Sequence, residues 1–94
     1  MVKRSDADLR RAVNFRTNLR RIFDAWGNQS RVAQDAGIHR VYLARLIRGD
    51  EDNPTINTIE AISQALEISV ETLLATDPPD ADLRIVEKIA KQTA

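Results

Sequence analysis

The feature that most limits the fold of this chain is the recurrence of apolar residues at helical spacing in short runs. From Phe15, apolar side chains recur at i, i+4, i+7, i+8 and i+11 up to Trp26, which is the spacing of one helix face. Later runs end at Gly37 and Gly49, and residues 77–80 contain two adjacent prolines. No segment alternates β-branched and polar residues as a strand would. The pattern therefore predicts an all-α protein.

Length and composition narrow the class of protein further. The 94 residues leave room for one hydrophobic core, because a domain below roughly 40 residues usually needs a metal, a disulfide or a partner. The absence of cysteine excludes a disulfide framework, a thiol nucleophile and a cysteine-ligated metal. No apolar run approaches the roughly 20 residues of a membrane span, and the basic first residues lack the apolar stretch of a signal peptide. We expect a cytoplasmic protein with no cofactor.

The net charge of zero conceals an uneven distribution of charge. Residues 1–49 carry eleven Lys or Arg against four Asp, a balance of +7. Residues 50–94 carry three basic against ten acidic residues, a balance of −7. A basic first half favours a polyanion as partner, but an uneven solvated helical surface would give the same counts. Charge by itself leaves both interpretations open.

Residues typical of helix N-termini divide the chain into segments. The first helix is predicted from a capping box of Ser5 and Asp8, and Asn14 is a candidate break that would leave a short leading helix. Three further helices are predicted to follow residues whose side chains accept a hydrogen bond from the first helical turn. These caps are Asn28, Thr55 and Ser69.

Three parts are predicted along the chain. Residues 1–14 form a basic N-terminal extension or leading helix, and residues 15–76 form a five-helix domain. Residues 77–94 form a hinge at the prolines and then a C-terminal helix over 81–92, capped by Asp80. Its apolar stripe either folds back on the bundle or packs against a second copy, which makes it a candidate dimerisation element. The stripe consists of Leu83, Val86, Ile89 and Ala90.

The most informative segment joins two short helical runs at Gly37. A glycine supplies the positive φ of a tight turn, and the small Ala33 lets the second helix cross the first closely. Two short helices held in this way form a helix-turn-helix. The side chains expected to face inward are Val32, Ile38, Leu43 and Leu46.

The same segment carries a family resemblance. Positions 1, 5, 9, 15 and 18 of the 20-residue unit hold Gln29, Ala33, Gly37, Leu43 and Leu46. The pattern continues in Arg48-Gly49, Pro54-Thr55, Thr58-Ile59, Ile62 and Ala65-Leu66. Residues 15–75 thus resemble the lambda-repressor/Cro-type, or Xre, helix-turn-helix family. The resemblance implies a compact bundle of five α-helices, here with an additional C-terminal helix, and a dimeric transcription regulator, in particular a repressor, that binds a palindromic operator in double-stranded DNA.

The resemblance also implies roles for individual residues. The helix over 39–48 would enter the major groove, where Arg grips guanine and Val suits a thymine methyl group. The base-contact positions are Arg40, Val41 and Arg45, with His39 just before them. The phosphate-contact positions are Gln29, Ser30, Arg31 and Arg48. Tyr42 and Ala44 are expected at the edge of the contact surface.

Other functions stay open at the level of sequence. An antitoxin, or an interaction module with the same fold, would bind a protein such as a toxin or an antirepressor, and the acidic residues 50–52 favour this. The basic residues near the N-terminus form either an arm that reaches DNA or a solvated helix. His39 has no second His and no Cys beside it, so no metal site is expected. No nucleophile elbow or phosphate loop is present, so an enzyme is not expected.

Overall fold

The computed structural model describes residues 6–51 and 53–85. Within these ranges the chain forms five α-helices and no strand, which confirms the all-α five-helix prediction. The helices are α1 (Asp6–Trp26), α2 (Gln29–Ala36), α3 (Arg40–Arg48), α4 (Ile56–Leu66) and α5 (Val70–Leu74). None of these helices is long and apolar enough to cross a membrane. Ser5 of the predicted capping box lies outside the described residues.

One hydrophobic core joins the five helices. Each apolar side chain that the helices bury is at most 5% exposed, and burying one such side chain stabilises the fold by about 1.5–3 kcal/mol. The inward positions predicted for the helix-turn-helix are confirmed, with Ile38 only partly buried. The buried helical residues are Phe15, Leu19, Ile22, Phe23, Val32, Ala33, Leu43, Leu46, Ile62, Leu66 and Leu73.

Helix α1 continues through Asn14, where a break was one of the predicted alternatives. Asn14 Nδ2 donates hydrogen bonds to the Leu74 carbonyl oxygen at 3.1 Å and to Thr76 Oγ1 at 3.0 Å. The residue therefore fastens α1 to the end of α5. Toward its N-terminus the helix leaves the core, and Leu9 and Val13 are 46% and 48% exposed.

A buried amide makes a second connection between α1 and α5. Asn18 is 1% exposed, and its Nδ2 donates to the carbonyl oxygens of Leu73 at 2.9 Å and Ala75 at 3.0 Å. Carbonyl groups at a helix C-terminus have no partner within the helix. Asn18 therefore supplies hydrogen bonds that α5 lacks and fixes its end against α1.

Two of the three predicted caps are confirmed. Thr55 Oγ1 accepts a hydrogen bond from the Thr58 N–H at 3.2 Å, and Ser69 Oγ accepts one from the Thr72 N–H at 3.1 Å. Asn28 stands at the predicted N-cap position before α2, but its side chain makes no capping hydrogen bond. Its backbone is left-handed, with φ 55°, whereas a capping residue needs extended backbone to aim its side chain at the first turn.

The segment after α5, residues 76–85, is called the C-terminal strap below, and it corrects the predicted start of a helix at 81. Residues 80–84 form turns, and Arg84 has φ 60°, a left-handed conformation that interrupts a right-handed helix. Leu83 is 0% exposed and Ile85 is 7% exposed, so the strap folds back on the bundle. Leu83 is thereby buried within its own chain. The rest of the predicted stripe, from Val86 onward, lies outside the described residues.

Polar contacts at the surface accompany this burial. Arg21 of α1 forms an ion pair with Asp80 of the strap. Arg84 Nη1 lies 2.9 Å from Glu67 Oε2, and the Arg84 guanidinium lies 5.9 Å from the centre of the Trp26 ring. Partly exposed ion pairs contribute at most about 1 kcal/mol each. Burial of Leu83 is therefore the main force that holds the strap.

We expect Leu83→Ala to lower the free energy of unfolding by about 2–5 kcal/mol, because it leaves a cavity in the core. Asp80→Asn, a control in the same strap, is expected to lower it by at most about 1 kcal/mol. Urea unfolding followed by the fluorescence of Trp26 measures both values. Equal stabilities of wild type and Leu83→Ala would show that the strap is not part of the core.

Candidate nucleic-acid interface

The turn between α2 and α3 sets the angle of the helix-turn-helix. Gly37 has φ 71°, and its N–H donates to the Gln34 carbonyl at 3.1 Å. The Ile38 N–H donates to the Ala33 carbonyl at 3.0 Å. These two bonds form the Schellman arrangement that ends a helix at a left-handed residue. The positive φ predicted for Gly37 is confirmed.

Helix α3 has one face in the core and the opposite face in solvent. Leu43 and Leu46 are at most 2% exposed, whereas Val41 is 46% exposed. Arg40 and Arg45 are exposed, and neither forms an ion pair or side-chain hydrogen bond within the part of the chain that the structure describes. We call the solvent-facing side of α3 the α3 face. It consists of Arg40, Val41, Ala44, Arg45 and Arg48.

Ala44 and Tyr42 lie at the border between the α3 face and the core. At 3.6 residues per turn Ala44 lies between Arg40 and Arg48, and its side chain is half-buried. Tyr42 is also half-buried and packs against the core. The fully exposed part of the α3 face is formed by Val41 and the three arginines.

His39 begins α3 as its N-cap. Its backbone is extended, with φ −72° and ψ 138°, and Nδ1 accepts a hydrogen bond from the Val41 N–H at 3.1 Å. This hydrogen bond holds the ring beside the first turn of the helix. His39 is exposed and lies next to Arg40, so it combines a structural role with a place at the end of the α3 face.

The four residues predicted to contact phosphate lie on two elements. Gln29 and Ser30 are the first residues of α2, where the N–H groups have no carbonyl partner within the helix. Arg31 Nε lies 3.7 Å from Asp35 Oδ2 on the same helix. Such an N-terminus is a favourable place for an anion, and the side chain of Asn28 does not occupy it.

Arg48 lies at the other end of the α3 face and has an acidic partner. Its Nε is 3.0 Å from Asp50 Oδ2, and the two side chains are 62% and 60% exposed. The Asp50 N–H donates to the Arg45 carbonyl oxygen at 3.0 Å, which fixes this acid at the end of the helix. An exposed ion pair of this kind contributes at most about 1 kcal/mol, so Arg48 can exchange Asp50 for another anion.

Sequence reasoning missed the residue that anchors the C-terminal end of α3. Arg20 of α1 donates from Nε to the Ile47 carbonyl oxygen and from Nη2 to the Arg48 carbonyl oxygen, both at 2.7 Å. The last carbonyl groups of a helix have no partner within that helix. The predicted end of α3 at Gly49 therefore indicates that donors must come from another part of the chain. Which of the five arginines in α1 supplies them depends on how the helices pack.

Among residues 6–51 and 53–85, no group of three or more His, Asp and Glu side chains is placed to hold a metal ion. The surface formed by the α3 face and the start of α2 presents exposed guanidinium groups, an open helix N-terminus and the apolar side chain of Val41.

The family described as helix-turn-helix matches residues 28–73, which run from the start of α2 into α5. The match agrees with the helix-turn-helix resemblance seen in the sequence, and α2 and α3 are the two helices of the motif. The matched region begins after α1, so Asn14, Asn18 and Arg20 lie outside it, although Asn18 and Arg20 bond to residues within it.

Two curated relatives share the helix-turn-helix domain. The chain is 40% identical over 45 residues to the HTH-type transcriptional regulator SinR of Bacillus subtilis (strain 168), and equally to that of Bacillus licheniformis. The alignment covers 48% of this chain and 40% of each relative, so the chain spans about 40% of the length of the curated relatives it matches. No solved structure matches the chain.

We expect His39→Ala to lower the free energy of unfolding by about 1 kcal/mol, because the Val41 N–H loses its acceptor. His39→Ser, whose hydroxyl is a good helix cap, is expected to keep most of the wild-type stability. Urea unfolding of the three proteins measures the difference. If the Ala and Ser variants are equally stable, the hydrogen bond from the Val41 N–H does not stabilise α3.

Proposed function

We propose that this protein is a sequence-specific regulator of transcription that binds double-stranded DNA with α3 in the major groove. The observation that carries the proposal is the α3 face, where Arg40 and Arg45 stand exposed, with no ion-pair partner among the described residues, on a helix whose other side is fixed in the core. The major groove of B-DNA is about 12 Å wide and admits one α-helix. Base recognition requires a helix that fits the groove and side chains that can bind base edges. The α3 face offers both, because α3 is fixed in the core and its guanidinium groups are exposed.

Arg40 and Arg45 are proposed to bind the O6 and N7 atoms of guanines. Each such bidentate contact discriminates by about 1–3 kcal/mol against a different base. Val41 is proposed to contact a thymine methyl group, and His39 to contact a base beside Arg40. The small Ala44, between Arg40 and Arg48, adds no bulk that would keep the helix from the floor of the groove.

Contacts to phosphate are proposed on both sides of the groove. Gln29 and Ser30, with the free N–H groups of the first turn of α2, bind one phosphate group. Arg31 adds its charge on the same side, and Arg48 binds a phosphate at the end of α3 after exchange with Asp50. Such contacts fix the register of the protein on DNA, whereas the arginines of the α3 face supply specificity.

The names of the two relatives support a role in the regulation of transcription. Both are named HTH-type transcriptional regulators, and the similarity covers α2 and α3. We further propose that the protein is a repressor that binds a palindromic operator as a dimer. Occupation of an operator is sufficient to exclude RNA polymerase, whereas activation requires a further surface that contacts polymerase. Two copies would place their α3 helices one DNA turn apart, roughly 34 Å.

A protein partner is the second candidate. The acidic side chains of Asp50 and Glu51 lie directly beyond α3, and Val41 is an exposed apolar residue. An antitoxin, or an interaction module, would use this surface to bind a toxin or an antirepressor. DNA selection distinguishes the two functions, because only the first predicts enrichment of a duplex sequence.

We expect the wild-type protein to enrich an inverted repeat from a library of random duplexes. An Arg40→Ala/Arg45→Ala variant is expected to lose this enrichment. The matched control is Arg40→Lys/Arg45→Lys, which keeps both charges but not the guanidinium geometry, so it should bind DNA while discriminating less strongly at the guanine positions. If the wild-type protein enriches no sequence even at low salt, the proposed function is wrong.

We expect Asp50→Asn to strengthen binding to the selected duplex by about 1.5- to 5-fold, which corresponds to the 0.2–1 kcal/mol of an exposed ion pair. The substitution releases Arg48 and removes a negative charge beside the phosphate. Asp82→Asn in the C-terminal strap changes the net charge equally and is expected to leave the affinity unchanged. An equal effect of both substitutions in titrations at fixed salt would contradict the phosphate contact of Arg48.

A further inference from the structure

The first two turns of α1 form an apolar face that the rest of the described chain leaves open. Residues 6–13 are all exposed except Ala12, which is half-buried, and they precede the point at which Asn14 joins α1 to α5. Leu9 and Val13 are 46% and 48% exposed, and most other apolar residues of this size are buried or half-buried. Both lie beside Pro54 at the rim of a shallow cleft.

The face has opposite charges at its two ends. Asp6, Leu9, Val13 and Arg16 follow one another at intervals of three, four and three residues, so they lie along one side of the helix. We call this side the α1 stripe. Asp6 is its acidic end, Leu9 and Val13 are its apolar centre, and Arg16 is its basic end.

Neither charged end has a partner of opposite charge in the part of the chain that the structure describes. The side chain of Arg16 lies against Gly49, where a Cβ atom would come within 2.8 Å of Arg16 Cδ. This contact holds the stem of Arg16 beside the stripe. A complementary partner would therefore present a basic group to Asp6 and an acidic group to Arg16.

A second copy of the α1 stripe presents both groups when the two α1 helices are antiparallel. In an antiparallel pair with its centre near residue 11, Leu9 faces the partner's Val13, and Asp6 faces the partner's Arg16. A parallel pair would place acid against acid and base against base, which is unfavourable. The charge pattern therefore selects one occupant and one direction.

We propose that two copies of this chain associate through the α1 stripe, with their α1 helices antiparallel. The contact consists of four half-exposed apolar side chains and two ion pairs. It is smaller than the roughly 800 Å² per partner of a standard stable interface, so we expect a weak and concentration-dependent dimer. When both copies bind neighbouring half-sites, even a weak contact raises the affinity for DNA strongly. The stripe thereby supplies a dimer surface for the proposed regulator, but its existence does not depend on DNA binding.

The test is the oligomeric state of the full chain without DNA, measured by sedimentation equilibrium over a range of concentrations. Wild type is expected to dimerise, and Leu9→Ser/Val13→Ser is expected to weaken the dimer at least tenfold without loss of helicity. Ile56→Ser is the matched control, because Ile56 is another apolar residue, 57% exposed, outside the stripe. A wild-type protein that stays monomeric, or a dimer that the double substitution leaves intact, would overturn the proposal.

Exchange of the two charges tests the direction of the pair. Asp6→Arg places like charges together and should weaken the dimer, whereas Asp6→Arg combined with Arg16→Asp should restore it. Failure of the combined variant to recover, in a protein with wild-type helicity, would contradict the antiparallel arrangement. Because these measurements contain no DNA, their outcome is independent of the duplex selection that tests the proposed function.

Discussion

Burial of one side of α3 against the rest of the bundle is the interaction on which the proposed interface depends. Leu43 and Leu46 are at most 2% exposed and fix the rotation of the helix about its axis. His39 caps its first turn, and Arg20 binds its last carbonyls from α1. The rotation and both ends of α3 are thus fixed, while Arg40 and Arg45 on its solvent-facing side form no ion pair within residues 6–51 and 53–85. Its side chains are therefore available for recognition.

The parts of the fold that followed from sequence are those governed by neighbouring residues. The turn at Gly37 and the caps at Thr55 and Ser69 act within a few residues along the chain, and their side chains signal them directly. Asn18 and Arg20 form hydrogen bonds to residues 55 and 27 positions away, so only the packed arrangement reveals them. Each of them satisfies helix carbonyl groups that have no partner within their own helix.

The residues of the candidate interface followed from sequence only as far as the motif extends. The motif indicated which residues stand on α3, whereas the donor to its last carbonyl groups, Arg20, depends on the packing of α1. The C-terminal strap shows the same limit, because helical spacing from Asp80 predicted a helix from residue 81, where the structure has turns and a left-handed Arg84. The strap buries Leu83 within its own chain, so this member of the predicted stripe is not exposed to a second copy.

In the proposed complex Arg40 and Arg45 bind guanine in the major groove. This contact is tested by the affinity for the selected duplex after a guanine of each half-site is replaced by 7-deazaguanine, which lacks the N7 acceptor. The wild-type protein is predicted to lose about tenfold in affinity, in keeping with the 1–3 kcal/mol of a bidentate contact. A protein that lacks the corresponding arginine should lose nothing further. Equal losses in both proteins, or no loss in either, would show that these arginines do not bind guanine N7.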